Sequence, residues 1–270
     1  MTITAGIDVG STYAKALILD DRMKILGQSM LPTGFLLGKV ARDSFELALK
    51  EAGLEQGDIS YTISTGYGRH QVDFKDMAVT DLTAGARGAI HLYPNTRTIL
   101  DVGGQTMKAL KVDEKKMIQG FRLNDKCAAG TGAFLEKTAR YMGYETEEIA
   151  PLLLTSKSPV SISGVCAVFA ESEVINHLSQ GAPPSEIMQG SVESLTQRAL
   201  QLMKRVKGGP GYSLIGGIMR FSTMPKAVKD ALEGEVNIPE GEMTQYIAAL
   251  GSALLGHLRL ERLASEAATV

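Results

Sequence analysis

The sequence predicts an α/β protein built from two copies of one strand–turn–strand unit. Three observations carry that reading. Strand-like and helix-like patterns are interleaved along the chain instead of being segregated. The tripeptide Asp8-Val9-Gly10 returns as Asp101-Val102-Gly103, and Lys15-Ala16-Leu17 returns as Lys108-Ala109-Leu110, each 93 positions on. At 270 residues the chain can bury a substantial core, as one large domain or two moderate ones.

The first copy opens with "TITAGIDVG", in which Ile3, Ala5, Ile7 and Val9 alternate toward one face, the signature of a strand. It ends in "DVGST" (8–12), continues as "YAKALIL" (13–19), turns at "DDRMK" and resumes as "ILGQSM". The second copy repeats the syntax: "TILDVGGQ" (98–105), "TMKALKV" (106–112), a turn at "DEKK", then "MIQGFRL". Two tripeptides sharing one offset inside matching patterns mark a structural repeat. A helix is predicted over 39–53, where apolar residues fall at helical spacing and a glycine closes the run. "TGAFLEKTARYMGY" places Phe134, Leu135, Thr138, Tyr141 and Met142 on one helical face. Further helices are predicted at 166–180, 185–206, 222–233 and 244–264. The expected organisation is an N-terminal lobe over 1–95, a C-terminal lobe over 96–243, and a C-terminal helix in 244–270 packing back on the first lobe. The chain carries no low-complexity segment or long linker.

Composition excludes several functions. A net charge of −2 lacks the excess of Lys and Arg that a nucleic-acid groove or a binder of anionic membranes requires. The opening "MTITAGIDVG" has neither a basic leader nor a long apolar core, and "IAALGSALLGHL" is too short to span a bilayer. The expected location is cytoplasmic, where thiols stay reduced, so a disulfide between Cys127 and Cys166 is not the favoured reading of the two cysteines.

Two Asp-Val-Gly turns, each closing a buried strand, have a physical use. Glycines let backbone N–H groups approach an anion, and Ser11 and Thr12 add hydroxyl donors. The carboxylates of Asp8 and Asp101 would repel phosphate, so a mediator such as Mg²⁺ and its waters is implied. The competing reading, a pair of ordinary β-turns, loses ground because the motif is duplicated. Other nucleotide signatures fail. "GFLLGKV" (34–40) has three residues between its glycines and Val40 where a P-loop needs Ser or Thr. "GTGAFL" has Leu135 at the third glycine of a dinucleotide fingerprint.

"DVGST", "DVGGQ" and "LIGGIM" (214–219) together resemble the phosphate-1, phosphate-2 and adenosine motifs of the actin, hsp70 and sugar-kinase ATPase superfamily. The resemblance implies a duplicated, ribonuclease H-like two-lobed fold of the actin-like ATPase type, with nucleotide in the cleft. "NDKCAAGTG", "CAVFAESEVI" and "TGYGR" resemble one branch of it more specifically. That branch holds the ATPase activators of 2-hydroxyacyl-CoA dehydratases and the ATPase subunits of benzoyl-CoA reductase. The resemblance covers nearly the whole chain.

The cysteines sit at two helix starts among small residues: Cys127 beside Ala128, Ala129 and Gly130, and Cys166 near Gly164. A cytosolic cysteine is most often a small buried hydrophobe. Two cysteines cannot complete a four-cysteine iron–sulfur site, but a two-fold dimer supplies four. A [4Fe–4S] cluster with four thiolates is anionic, and helix N-termini favour anions by up to about 2 kcal/mol. The family resemblance implies the same arrangement, one cluster bridging a dimer. The partner chain is either a second copy or a homologous ATPase subunit.

The function this implies is that of an ATP-driven, low-potential electron donor. One electron would arrive from ferredoxin or flavodoxin and leave to an acyl-CoA dehydratase or a benzoyl-CoA reductase component. ATP binding and hydrolysis to ADP would close the lobes in a hinge motion and make transfer one-way. Each ~60 mV of extra reducing power on one electron costs about 1.4 kcal/mol. In this reading Asp8 and Asp101 hold Mg²⁺ through water. Gly10, Ser11, Thr12, Gly103, Gly104 and Gln105 cradle phosphates, Lys15 reaches a phosphate, and Gly216 and Gly217 flank the adenosine. Gln105 or Asp101 orients the attacking water. The alternative is a small-molecule kinase of the amino-sugar type on the same fold, for which no aspartate base in an acceptor pocket can be identified. Two smaller features stay open. "STGYGRH" (64–70) is either a plain tight loop or a nucleotide- or partner-responsive segment using Arg69. Glu173 and His177 form an i,i+4 pair that reads as a helix face instead of a metal site.

Overall fold

The repeat read in the sequence is a repeat of backbone geometry. The computed structural model describes residues 2–124, 131–163, 167–221 and 223–268. Contacts divide the chain into two units: Met1–Pro94 with Gln245–Val270, and Asn95–Thr244. The first holds β1 (Thr4–Val9), β2 (Tyr13–Leu19), β3 (Ile25–Pro32), α1 (Leu37–Ala52), β4 (Tyr61–Thr65), β5 (Met77–Ala78) and α2 (Asp81–Leu92). The second begins with β6 (Thr98–Val102), β7 (Met107–Val112) and β8 (Ile118–Asn124). It continues with α3 (Gly132–Tyr141), α4 (Ile149–Leu153), α5 (Ala167–Ser179) and α6 (Pro184–Val206). β9 (Tyr212–Ile215), α7 (Thr223–Asp230), β10 (Val236–Asn237) and α8 (Met243–Ala267) complete the chain.

The two five-stranded sheets have one strand order, β3-β2-β1-β4-β5 in the first and β8-β7-β6-β9-β10 in the second. In each, three antiparallel strands form a meander and two more add in parallel. The hairpin turns match bond for bond. Asp20 N–H donates to the Lys24 carbonyl at 3.0 Å, and Asp113 N–H to the Met117 carbonyl at 3.0 Å. Met23 and Lys116 occupy the same turn position with φ of 61° and 63°, a left-handed conformation uncommon outside glycine. The pairing irregularity at Ile18/Leu19 also recurs 93 residues on, at Lys111/Val112.

In the first unit Ile3, Ala5, Ile7 and Val9 do share one face, packed against Ala41, Phe45 and Ala48 of α1. The opposite face, carrying Thr4, Gly6 and Asp8, meets α8. Thr4 Oγ1 donates to the Ala253 carbonyl at 2.9 Å, and any side chain at Gly6 would overlap the backbone of Ala249 and Ala253. The second core joins Leu100, Val102 and Met107 to Phe134 and Leu135 of α3 and Ile187, Val192 and Leu195 of α6.

Some local expectations change. α2 escapes a periodicity search because its buried face is Ala84, Gly85, Ala86, Gly88 and Ala89, with no large apolar residue. Tyr141 leaves the buried face of α3: it is 41% exposed, under the Lys137 ammonium at 5.7 Å from its ring. α7 stops at Asp230, short of 233, while α8 runs on to Ala267. No helix among the described residues is long and apolar enough to cross a membrane.

Candidate functional site

Each unit brings an aspartate, a lysine and two glycine turns together at the carboxyl ends of its central strands. In the first, Asp8 lies opposite Lys15 across the β1–β2 ladder, and the Lys15 ammonium sits 3.0 Å from Asp8 Oδ2. In the second, Asp101 lies opposite Lys108 across β6–β7, with the ammonium 3.2 Å from Asp101 Oδ2. These pairs are largely buried, so each carboxylate already has a cation at hand. Gly10 N–H donates to the Tyr13 carbonyl at 3.1 Å, and Gly103 N–H to the Thr106 carbonyl at 2.9 Å. These equivalent tight turns bring Ser11, Thr12, Gly104 and Gln105 to the strand ends. Thr33 braces the first turn, with its Oγ1 on the Gly10 carbonyl and its N–H on that of Thr12.

The other carboxylate oxygen meets a glycine in both units. A Cβ on Gly66 would lie 2.5 Å from Asp8 Oδ1 and 2.5 Å from the Val9 carbonyl. One on Gly216 would lie 2.6 Å from Asp101 Oδ1 and 2.4 Å from the Val102 carbonyl. Both have positive φ, 85° and 98°, which a side chain would strain. The segment "STGYGRH" is therefore the first unit's counterpart of "LIGGIM", each leaving a strand parallel to the aspartate-bearing one. Arg69 turns inward here, with Nη1 on the Gly66 carbonyl at 3.1 Å.

The second turn is tied to the helix that succeeds the Cys127 segment. Gly132 N–H donates to the Gly103 carbonyl at 3.0 Å and Ala133 N–H to the Gly104 carbonyl at 2.7 Å. A Cβ on Gly132 would also strike Ile218 Cδ1, so α3 starts against both glycine turns of its unit. Past Gly217, a cavity of about 560 Å³ is lined by Met219, Arg220, Lys226, Lys229, Ile238 and Pro239, among others. Its walls are mostly apolar, and its rim carries three cations, Arg220, Lys226 and Lys229, beside one carboxylate, Glu242. Half-buried Glu136 on α3 has its carboxyl pushed above the usual range by burial, against the pull of Arg140 and Arg220.

Cys127 and Cys166 lie outside the described residues, as do Ala128, Ala129, Gly130 and Gly164. Lys137 of α3 pairs with Glu171 of α5 at 2.8 Å, linking the helices that come after them. His177 and Glu173 anchor the loop ahead of α5: Ser163 N–H donates to Glu173, and the His177 ring lies 3.3 Å from the Ser161 carbonyl. Among the described residues no cluster of three or more His, Cys, Asp or Glu is poised for a metal ion.

The profile of the BadF/BadG/BcrA/BcrD ATPase family matches residues 5–256. The chain belongs to the BadF/BadG/BcrA/BcrD ATPase family. The ATPase is 37% identical over 251 residues to the 2-hydroxyisocaproyl-CoA dehydratase activator of Clostridioides difficile, covering 93% of each chain. It is 33% identical over 279 residues to a benzoyl-CoA reductase subunit of Thauera aromatica, covering 98% of this chain and 96% of that one. The solved structure of the activator of the 2-hydroxyisocaproyl-CoA dehydratase from Clostridium difficile with bound ADPNP superposes with a TM-score of 0.90. That match has 35% identity and covers 98% of each chain. The duplicated two-sheet architecture of the ATPase is thus that of the actin-like ATPases.

Sequence reasoning passed over three contributors to this geometry. Lys108 lies in the repeated tripeptide at the same offset as Lys15, and that offset is the signal that could have assigned it. Gly66 could be equated with Gly216 only once β4 and β9 were seen to pair equivalently. Gly132 had no sequence signal, since its role depends on a contact with Gly103 across the fold.

Proposed function

We propose that this ATPase is a low-potential electron donor to an acyl-CoA dehydratase or an aromatic acyl-CoA reductase component. The observation that carries the proposal is the pair of hydrogen bonds from Gly132 and Ala133 to Gly103 and Gly104. They join a phosphate-type turn to the helix directly after Cys127, which is what coupling nucleotide chemistry to a cysteine-held group requires. The likeness to a dehydratase activator and to a reductase subunit supports it.

In this reading Gly10, Ser11, Thr12, Gly103, Gly104 and Gln105 offer N–H and hydroxyl donors to the phosphates of ATP. Gly216, Gly217 and the cavity beyond them take the adenosine. Asp8 offers carboxylate oxygen beside the Ser11 and Thr12 hydroxyls, and Asp101 offers carboxylate oxygen beside Gln105; each fits a hard cation such as Mg²⁺ held through water. Magnesium would neutralise phosphate charge there. Lys15 and Lys108 pair with the two carboxylates and orient them, and Gln105 orients the attacking water. Cys127 and Cys166 of two chains, either two copies or this chain and a homologous subunit, would ligate one [4Fe–4S] cluster. That cluster would store and release one electron, received from ferredoxin or flavodoxin.

The test is iron and acid-labile sulfide on protein purified without oxygen, beside Cys127→Ala and Cys166→Ala. About four iron per two chains, lost in either variant, is the expected result. An iron-free wild type that still hydrolyses ATP would overturn the electron-donor reading.

A further inference from the structure

The face of the first sheet that carries Asp8 holds polar groups for which the nucleotide reading has no use. Thr65, the last residue of β4, stands opposite Asp8 in the parallel ladder. Its side chain leaves the sheet on the same face as that of Asp8, with Lys15 on Asp8's other flank. Thr65 is fully buried, yet its Oγ1 has no hydrogen-bond partner among the described residues. In the second unit the residue opposite Asp101 is Ile215, so the fold tolerates an apolar side chain at this position. The hydroxyl is an addition specific to the first unit.

The helix covering this face adds a second such group. Thr4 bonds to Ala253, and Gly6 meets Ala249 and Ala253. Two residues of strand advance about as far as one turn of helix, so the next position over the Asp8 end, on the same face of α8, is Gln245. Gln245 is 7% exposed, and its Nε2 is unpartnered among the described residues. A buried hydroxyl and a buried amide each cost stability unless a partner such as an ordered water completes them.

Their chemistry is complementary. Nε2 can only donate, the Asp8 carboxylate can only accept, and the threonine hydroxyl does either. One water molecule satisfies all three by accepting from Gln245 and donating to Asp8 and Thr65. We propose that Thr65 and Gln245 hold a buried water against Asp8 and so fix its carboxylate for the hydrated divalent cation of the bound nucleotide. This rests on the reading of Asp8 as a magnesium-side carboxylate. Thr65 and Gln245 are then positioning residues: they act on the cation through Asp8 and leave nucleotide contacts alone.

The experiment is calorimetric titration of the full-length protein with ADP, once with Mg²⁺ and once with EDTA, for wild type, Thr65→Val, Thr65→Ser and Gln245→Met. Thr65→Val and Gln245→Met are expected to weaken ADP binding about tenfold in Mg²⁺ and to leave it within about twofold in EDTA. Thr65→Ser, which keeps the hydroxyl, restores the Mg²⁺ value. With Mn²⁺ as the probe metal, the same two variants change the electron paramagnetic resonance line of the Mn²⁺·ADP complex. Variants that bind ADP as wild type does in Mg²⁺, or that lose affinity equally in EDTA, overturn the proposal. Should Thr65→Val fail to fold, Gln245→Met and Thr65→Ser decide it. A wild type whose ADP affinity ignores Mg²⁺ removes the reading of Asp8 itself, and that outcome is visible before any variant is made.

Discussion

Asp8 shows how much a single residue depends on its neighbours here. Its carboxylate is mostly buried, with Oδ2 on Lys15 and Oδ1 against Gly66. Replacing Lys15 by Met strips a buried carboxylate of its cation, which should cost about 3 kcal/mol in urea unfolding. The Asp8→Asn, Lys15→Met double variant should cost less than the sum of the singles, as a double-mutant cycle would reveal. The glycines are less forgiving. Gly66→Ala and Gly216→Ala each impose a strained φ and overlap with a carbonyl oxygen, so each should lose at least about 2 kcal/mol of stability and most ADP affinity. Equal losses at the two positions, measured by urea unfolding and by titration, would bear out their equivalence.

At the scale of elements, α3 and α8 carry the informative tests. Glu136 on α3 has a raised pKa because burial penalises its charged form, partly opposed by Arg140 and Arg220. For a carboxyl the sign is unfavourable at neutral pH: the folded state holds its proton longer than the unfolded chain does. Stability therefore falls as pH rises from the unfolded value near 4.5 through the higher folded one. Glu136→Gln should raise the Tm at pH 7, and the gain should vanish as the pH drops below about 4.5, where both states are protonated. Calorimetry across that range checks it. α8 packs on α2 so closely that a Cβ on Gly251 would lie 1.8 Å from the Ala84 carbonyl. Gly251→Ala should cost about 2–3 kcal/mol, roughly 5–10 °C in Tm, because the two helix backbones already touch there and at Gly88.

For the molecule as a whole, each unit has its own sheet and core, and each carries one phosphate-type turn. On the electron-donor reading the cysteines hold the cluster while the glycine turns hold the nucleotide, so one should be removable by mutation without the other. ADP at about a hundred times its Kd should stabilise the protein by about 2.7 kcal/mol. Cys127→Ala should keep that shift in thermal unfolding while losing its iron. A variant that loses both would show that the cysteine segment supports the nucleotide turns instead of acting beside them.

The sequence by itself determined the duplication, because the offset of 93 residues preserves strand, turn and register together, down to the left-handed Met23 and Lys116. It also exposed the two aspartates and their glycine turns, since local backbone demands select those residue types. α2 stayed illegible because a helix buried through Ala and Gly shows no apolar stripe. The pairing of Gly66 with Asp8, of Gly132 with Gly103, and the seating of Ala249 and Ala253 against Gly6 were decided only by tertiary structure. These contacts join residues far apart in the chain, and their specificity lies in how closely two backbones approach, which no local pattern of side chains records.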